Sequence, residues 1–346
     1  MTKKILAITL AMLMTLSLAA CGSGDANGEN GDEKTETFEG VGLVRLADYK
    51  GLSVATTETV VTDEEIDQQI SQVYFNAASE HDWGRGAEMG DTVIHDFVGK
   101  IDGVAFEGGT AEDYELELGS NVFIPGYEEQ MVGIKVGETK DLSMAFPDDY
   151  FNTEYAGKDV IFTVTCKAII PPLSDENWEA LENEYYPTID DFRTEAVLYL
   201  DSLCEEQNRE TFITDVLNNI VDNSDFGQIS DDLMTEKREY VNTAYAEMAA
   251  VYGMDVATYL LSCGTSLDEI ATDSIRHEMV IEEIAKLENI TTNAEEINDA
   301  MQSVLDYYQI TEEEFLEKTD MKDFEDYLVA SKVYDFLADN NTAVTE

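Results

Sequence analysis

Residues 90–98 read GDTVIHDFV and residues 114–118 read YELEL, and these two stretches decide the fold of the middle of the chain. In both, apolar side chains recur at every second position, which is the period of a half-buried β-strand. A further branched and apolar run extends from Val160 to Ile169, and glycine-containing turns separate the runs. Several short strands divided by turns predict a compact antiparallel sheet, which Pro171 and Pro172 end.

The segments on either side of this sheet have different patterns. Residues 43–61 are rich in β-branched side chains and predict a strand. Thr62 to Glu65 has the spacing of a capping box and opens a predicted helix with an apolar stripe. We expect that stripe, formed by Ile66, Ile70 and Val73, to bury against later helices and not against the sheet.

Beyond the two prolines the pattern is helical to the C-terminus. Thr188 to Asp191 forms a second capping box, and apolar side chains continue at helical spacing as far as Leu337. The predicted fold class is therefore α+β, with a small antiparallel sheet domain placed before an all-α domain.

The N-terminus resembles an export signal. Lys3 and Lys4 precede an uncharged apolar run from Ile5 to Leu18, which is too short for a transmembrane helix of roughly 20 residues. The run ends in LAAC at residues 18–21, which resembles a lipobox and predicts lipidation of Cys21 after cleavage. The alternative is an ordinary signal with a chance cysteine. Two acyl chains would hold the protein on the extracytoplasmic face of the cell membrane.

Composition limits the partners. The formal net charge is -54, and a field of this sign repels nucleic acid. Cys166, Cys204 and Cys263 show no zinc-binding spacing, and the histidines lie far apart, so neither a metal site nor a cofactor is expected. A disulfide between Cys204 and Cys263 and buried free thiols are both compatible with the sequence, and free thiols are favoured.

A family resemblance rests on five blocks in fixed order. They are residues 90–109, then LELG at 116–119, FIPGYE at 123–128, GIKVGE at 133–138 and FPDDY at 146–150. This series resembles the FKBP-type peptidyl-prolyl cis-trans isomerase domain of trigger factor. Residues 48–52 are more weakly similar to the arm before that domain, and residues 275–290, 292–297 and 332–337 to its helical C-terminal domain. The ribosome-docking domain of the family has no counterpart here, so no ribosome partner is expected.

The resemblance and the N-terminal pattern together imply five regions. These are a lipoprotein signal peptide (1–20), a disordered acidic tether (21–40), an arm of strand and helix packing on the C-terminal domain (41–87), an FKBP-type isomerase domain (88–171) and a helical, trigger factor C-terminal-like chaperone domain (172–346). The tether contains few large apolar residues and cannot bury enough surface to fold.

The resemblance also implies a prolyl-binding pocket. Its predicted members are Phe97, Phe106, Glu107, Tyr114, Phe123, Ile124, Tyr127, Tyr150 and Phe162. In this pattern Tyr127 is the floor, where many FKBP domains have tryptophan, and Phe97 stands where they have tyrosine. The backbone N–H of Ile124 would bond a substrate carbonyl, and Glu107 is the acidic residue at the pocket edge. Tyr150 is assigned to the flap, with Tyr155 and Phe151 as alternatives.

The predicted function is that of an extracytoplasmic, membrane-anchored foldase. It would isomerise X-Pro bonds in exported, unfolded polypeptides and hold them on helical arms. The alternative is a non-catalytic holdase or surface interaction lipoprotein that uses the FKBP fold as a binding module. A solute-binding lipoprotein is disfavoured, because nothing in the sequence resembles two doubly wound lobes around a ligand.

Overall fold

The computed structural model describes residues 42–345. The predicted signal peptide, the tether and Cys21 lie outside the described residues. The strands are β1 (Leu43–Arg45), β2 (Ser53–Thr56), β3 (Thr92–Ile101), β4 (Val104–Glu117), β5 (Thr139–Ala145), β6 (Asp159–Ile170), β7 (Asp225–Phe226) and β8 (Thr342–Thr345). The helices are α1 (Asp63–Glu80), α2 (Tyr127–Met131), α3 (Asp175–Glu179), α4 (Ile189–Asp222), α5 (Asp231–Val251), α6 (Val256–Ser262), α7 (Leu267–Glu288), α8 (Ala294–Tyr308), α9 (Glu312–Leu316) and α10 (Met321–Asn340).

The described chain divides into two compact units. Residues 60–204 form one, called the sheet unit here, and residues 42–59 together with 205–345 form the other, called the helical unit. Helix α4 begins in the sheet unit and ends in the helical unit. The predicted α+β class is confirmed by this arrangement of elements.

The sheet unit contains a four-stranded antiparallel sheet in the order β4-β3-β6-β5. Asp102 and Gly103 join β3 to β4, with φ of 50° and 81°. Positive φ at both central residues is the requirement of a type I′ turn, whose twist matches that of the strands. Val93 on β3 pairs with Leu116 on β4 and Ile169 on β6, and all three side chains are buried in one core.

Helix α1 begins at the predicted capping box. The hydroxyl of Thr62 accepts from the Glu65 N–H, and the Glu65 carboxylate accepts from the Thr62 N–H. The buried face of α1 then packs in a core that combines Ile170 of β6 with residues of α3 and the start of α4: Ile66, Ile70, Tyr74, Ala78, Ile170, Trp178, Phe192 and Ala196.

The expected placement of α1 was therefore wrong in one respect. Its stripe does contact the start of a later helix, through Phe192 and Ala196, but it also packs on the sheet through Ile170. The physical reason is local chain geometry. Strand β6 ends directly before Pro171, and the Pro171 carbonyl accepts a hydrogen bond from the Tyr74 hydroxyl at 3.0 Å. The end of the sheet thus offers α1 both an apolar side chain and a polar partner.

The helical unit has several smaller cores. The largest joins β2 and the segment before it to α4, α7 and α10, with Val54, Val216, Ile284 and Val333 among its buried members. Separate clusters lie around Val241 and Leu260, and around Phe315 and Phe324. The predicted strand over residues 43–61 is shorter in the structure, where β1 and β2 are separated by a turn at Gly51 with a φ of 70°.

Both ends of the described chain meet inside the helical unit. Strand β2 pairs in parallel with β8, with Ser53 opposite Thr342 and Val54 opposite Ala343. The Asn341 side chain strengthens the junction: its Oδ1 accepts from the Leu52 N–H at 2.9 Å, and its Nδ2 donates to the Tyr49 carbonyl at 3.1 Å. Sequence-distant strands therefore close this unit.

Cys166, Cys204 and Cys263 are free thiols, and only Cys166 is buried, so the expectation of buried thiols applies to that residue alone. Over residues 42–345 the structure contains no helix with the length and apolar character needed to span a bilayer.

Candidate active site

One face of β3 supplies the centre of the candidate site. Val93, His95 and Phe97 alternate along this strand, and all three are buried. Tyr114 of β4 is the register partner of His95, and Val164 of β6 is the partner of Phe97. Because side chains on a strand alternate between faces, this face gathers buried rings on one side of the sheet.

Aromatic rings from different segments meet at this face. The centroid of the Phe97 ring lies 5.4 Å from Phe123, 5.7 Å from Tyr114 and 5.9 Å from Phe162, each in a T-shaped arrangement. The Phe106 ring contacts the Phe162 ring, with centroids 6.0 Å apart. Edge-to-face contacts of this kind are the preferred geometry of packed rings. The structure thus brings six of the predicted residues together: Phe97, Phe106, Tyr114, Phe123, Tyr127 and Phe162.

Tyr127 lies at the base of this aromatic cluster. It begins helix α2 directly after Gly126, whose φ of 95° favours glycine. The side chain is fully buried, and burial raises the pKa of its hydroxyl. Phe123 stacks on it with ring centroids 4.0 Å apart and an interplanar angle of 19°. The predicted floor residue is therefore covered by a second predicted residue.

Two glycines make room for the rings. A Cβ at Gly99 would lie 2.5 Å from a ring carbon of Phe162 and 2.7 Å from one of Phe106, and a Cβ at Gly109 would lie 2.6 Å from Phe106. Real Cβ atoms essentially never make contacts this short, so a larger residue at either place would displace a ring. Gly99 and Gly109, both in the block at residues 90–109, thus have a packing role in the site.

Glu128 organises the loop that carries Phe123. Its carboxylate is buried and accepts backbone hydrogen bonds from Gly119, Asn121, Val122 and Phe123 at 2.8–3.3 Å. A carboxylate is a strong acceptor for several N–H groups at once. Sequence reasoning did not assign Glu128 a role, because its partners are backbone groups that leave no side-chain pattern.

The predicted edge residues are less enclosed. Glu107 is exposed, and Ile124 is half-buried, with its carbonyl accepting from the Tyr127 N–H at 3.2 Å. Tyr155 contacts Phe106 at 5.0 Å between centroids, whereas Tyr150 contacts Phe146 at 4.7 Å. Both flap candidates therefore pack near the cluster, and the assignment of Tyr150 stays a prediction.

The third flap alternative is different. Phe151 is 86% exposed, so its side chain does not point inward. On sequence alone it is an alternative flap residue. Its ring contacts that of Tyr150, with centroids 4.5 Å apart.

His95 is the second residue that sequence reasoning missed. It is fully buried beneath the rings, and its Nε2 lies 2.9 Å from the Tyr127 hydroxyl oxygen. The histidines had been considered only as metal ligands, although the period-two pattern of β3 places His95 between two core residues. Within the described range 42–345, no group of three or more His, Cys, Asp and Glu side chains is positioned to hold a metal ion.

The arrangement provides a cluster of packed aromatic rings with one polar pair, His95 and Tyr127, below it. A surface of such rings suits an apolar ring and excludes water, which is what binding of a prolyl side chain requires.

Comparisons with known families agree with a prolyl-binding site. The family of FKBP-type peptidyl-prolyl cis-trans isomerases matches residues 84–167, and the bacterial trigger factor C-terminus matches residues 188–339. The chain therefore carries an FKBP-type isomerase domain followed by a trigger factor C-terminal domain.

Whole-chain relatives make the assignment more specific. Trigger factor 1 of Desulfitobacterium hafniense is 32% identical over 312 residues, covering 86% of this chain and 72% of the relative. Trigger factor of Carboxydothermus hydrogenoformans is 35% identical over 315 residues, covering 87% and 73%. A solved trigger factor chaperone structure covers 85% of this chain at 17% identity and a TM-score of 0.45, a likeness too low for conclusions. This chain belongs to the trigger factor family, whose members combine prolyl isomerase and chaperone activity.

Proposed function

We propose that this protein is a membrane-tethered foldase that isomerises X-Pro bonds in exported, unfolded polypeptides, with the aromatic cluster around Tyr127 as the prolyl site. The observation that supports the catalytic part is the meeting of Phe97, Tyr114, Phe123 and Phe162 above a fully buried Tyr127. The helical unit is the part of the chain that would hold the client.

The chemistry needs only a suitable environment. Rotation of an X-Pro bond crosses a barrier of ~18–20 kcal/mol, because the planar amide must lose its partial double-bond character. The twisted amide is less polar than the planar one, so a dry aromatic site stabilises the transition state more than the ground state. The rings of the cluster would hold the proline and keep water from the amide.

Phe123 sets a condition on binding. Its ring covers the ring of Tyr127 at a centroid distance of 4.0 Å, so a proline that contacts Tyr127 must occupy part of the same space. In this proposal Phe123 turns aside when the substrate enters. The backbone of the loop stays in place, because the Glu128 carboxylate accepts hydrogen bonds from four N–H groups at residues 119–123.

A proline-limited refolding assay tests the catalytic part. Phe97→Ala should lower kcat/KM by at least about tenfold, or ~1.4 kcal/mol of transition-state stabilisation. Phe151→Ala is the matched control, since that ring is largely in solvent. A wild-type protein that suppresses aggregation of an unfolded client but accelerates no prolyl isomerisation would favour the binding-module alternative and overturn the proposed catalysis.

The membrane part of the proposal is supported by the sequence of residues 1–21. Lys3 and Lys4, the apolar run after them and the LAAC sequence together fit a lipoprotein signal with Cys21 as the acyl acceptor. Cys21→Ala should abolish fatty-acid labelling and leave a larger precursor. Cys263→Ala, which removes a different free thiol, should keep the label. Label retained by Cys21→Ala would contradict the proposed anchor.

A further inference from the structure

A polar pair lies beneath the aromatic cluster. His95 and Tyr127 are both fully buried, and the His95 Nε2 is 2.9 Å from the Tyr127 hydroxyl oxygen. A buried hydroxyl without a partner is unfavourable, so the tyrosine at this place requires an acceptor or donor next to it. Among the described residues, the hydrogen-bond partner of the Tyr127 hydroxyl is His95.

The second nitrogen of His95 favours one direction of this hydrogen bond. Nδ1 lies 3.3 Å from the Val93 carbonyl oxygen, which can only accept. A neutral imidazole carries one N–H and one lone pair, so the proton belongs on Nδ1 and the lone pair on Nε2. In the tautomer that satisfies the Val93 carbonyl, the Tyr127 hydroxyl donates to Nε2.

We infer that His95 is a positioning residue for prolyl isomerisation, which holds the ring of Tyr127 in place by accepting its hydroxyl proton. This inference rests on the proposed function of the aromatic cluster. The ring of Tyr127 lies 4.0 Å from Phe123 and 5.1 Å from Phe162, so a rotation of Tyr127 would disturb the surface that meets the proline. The hydrogen bond restrains this rotation from below.

The direction of the bond makes it sensitive to acid. A protonated imidazole has no lone pair, and both its nitrogens become donors, so the bond reverses to run from Nε2–H to the Tyr127 oxygen and the Tyr127 O–H proton loses its acceptor. Burial lowers the pKa of His95, which keeps the ring neutral at neutral pH.

The groups around His95 come from each neighbouring element. Tyr127 faces it from α2, Tyr114 from β4 at 5.9 Å between centroids, and Cys166 is its partner on β6. Asp96 is adjacent on β3, and its hydrogen bond with Lys167 keeps the Asp96 pKa below the usual range. Burial raises the pKa of Cys166 to about 11. Of the neighbouring groups with a shifted pKa, none changes charge between pH 5 and 7.

Isomerase kinetics on a proline peptide without titratable side chains test this role between pH 5 and 8. The wild-type kcat/KM should fall on the acid side. His95→Leu leaves the Tyr127 hydroxyl without an acceptor and should lower kcat/KM at pH 7.5 by about tenfold, since the loss falls on transition-state stabilisation. Adding Tyr127→Phe removes the stranded hydroxyl but leaves the ring without its restraint, so the double variant should recover only part of that activity and show no acid-side fall.

Two results would overturn the inference: a double variant as active as the wild type at pH 7.5, which would show that the ring needs no restraint, or one that retains the acid-side fall. Should His95→Leu fail to fold, the single variant Tyr127→Phe and the folded double variant still supply the pH comparison. A wild-type protein with no isomerase activity would instead defeat the proposed function, so the two failures are distinguishable.

Discussion

The sheet unit and the helical unit build their cores from different parts of the chain. The sheet unit uses one continuous stretch, residues 60–204, and its β3 and β4 are joined by a two-residue turn. The helical unit combines residues 42–59 with residues 205–345, and Leu52 bonds Asn341, 289 positions away. Closing so long a loop costs conformational entropy that a local hairpin avoids. The first unit therefore depends on local chain geometry, and the second on contacts between its chain segments.

The cores of the two units also differ in the side chains that fill them. The sheet unit has rings that interlock around Phe97 and glycines that leave room for them. The helical unit divides its buried residues among separate clusters, the largest of which is mainly aliphatic. Damage to one cluster of the helical unit should thus stay more local than a displaced ring in the sheet unit.

The largest expected effect tests which unit α1 belongs to. Ile70 is 2% exposed among residues of α1, β6 and α4, so Ile70→Asp places an unpaired charge in that core and should destabilise it by about 3–5 kcal/mol. Hydrogen exchange measured by mass spectrometry should show faster exchange in β3 and β6, and unchanged exchange in α7. Gln72→Asp, on the exposed side of α1, is the control. Faster exchange in α7 with an unchanged sheet would contradict the assignment of α1 to the sheet unit.

A smaller effect tests the closure of the helical unit. Asn341→Ala leaves the Leu52 N–H and the Tyr49 carbonyl without this partner and should cost about 1–3 kcal/mol. The two tryptophans, Trp83 and Trp178, both lie in the sheet unit, so their fluorescence reports its unfolding, while far-UV circular dichroism is dominated by helices.

In urea, Asn341→Ala should therefore shift the dichroism transition and leave the fluorescence transition in place. Asn340→Ala is the matched control, because the exposed Asn340 side chain bonds within its own helix, to the Phe336 carbonyl. Equal shifts in both signals would show that the units do not unfold separately.

The smallest effect concerns acid and the helical unit. Burial lowers the pKa of His277, whose Nε2 lies 2.9 Å from the Asn218 side-chain oxygen, while the charge of Asp222 opposes part of that shift. Below about pH 6.5 the unfolded chain then binds more protons at this residue than the folded one, so the stability of the unit should fall as pH falls. His277→Gln should flatten this slope in dichroism-monitored unfolding between pH 5 and 8. His81→Gln, in the sheet unit, should leave it unchanged, and a slope that persists in His277→Gln would assign it to other groups.

A structural feature of this protein can be predicted from the sequence when the pattern that indicates it lies in adjacent residues. The capping box at Thr62 and the alternation on β3 are properties of adjacent residues, and both are found as expected. Phe97, Phe106, Phe123 and Tyr127 could be predicted because the blocks that contain them keep family order. Their roles in catalysis stay predictions until the variants are measured.

Features that depend on distant partners were not accessible in the same way. The stripe on α1 indicated that a face is buried, but periodicity does not identify what covers it, and Ile170 was missed. Glu128 binds backbone N–H groups, which all residues except proline possess, so no pattern marked it. The burial of His95 can be predicted from the alternation on its strand. Its hydrogen bond with Tyr127 cannot, because only the fold brings these two residues together.

The pairing of β2 with β8 also sets an order of events during synthesis. Residues 53–56 are translated long before residues 342–345, and at ~5–20 residues per second the first strand waits on the order of 15–60 s for its partner. The sheet unit, complete at residue 204, does not depend on that partner. A chain that stops before residue 342 leaves the paired edge of β2 open, and exposed edges invite association with other strands. Closure of the helical unit therefore requires that translation has passed residue 345.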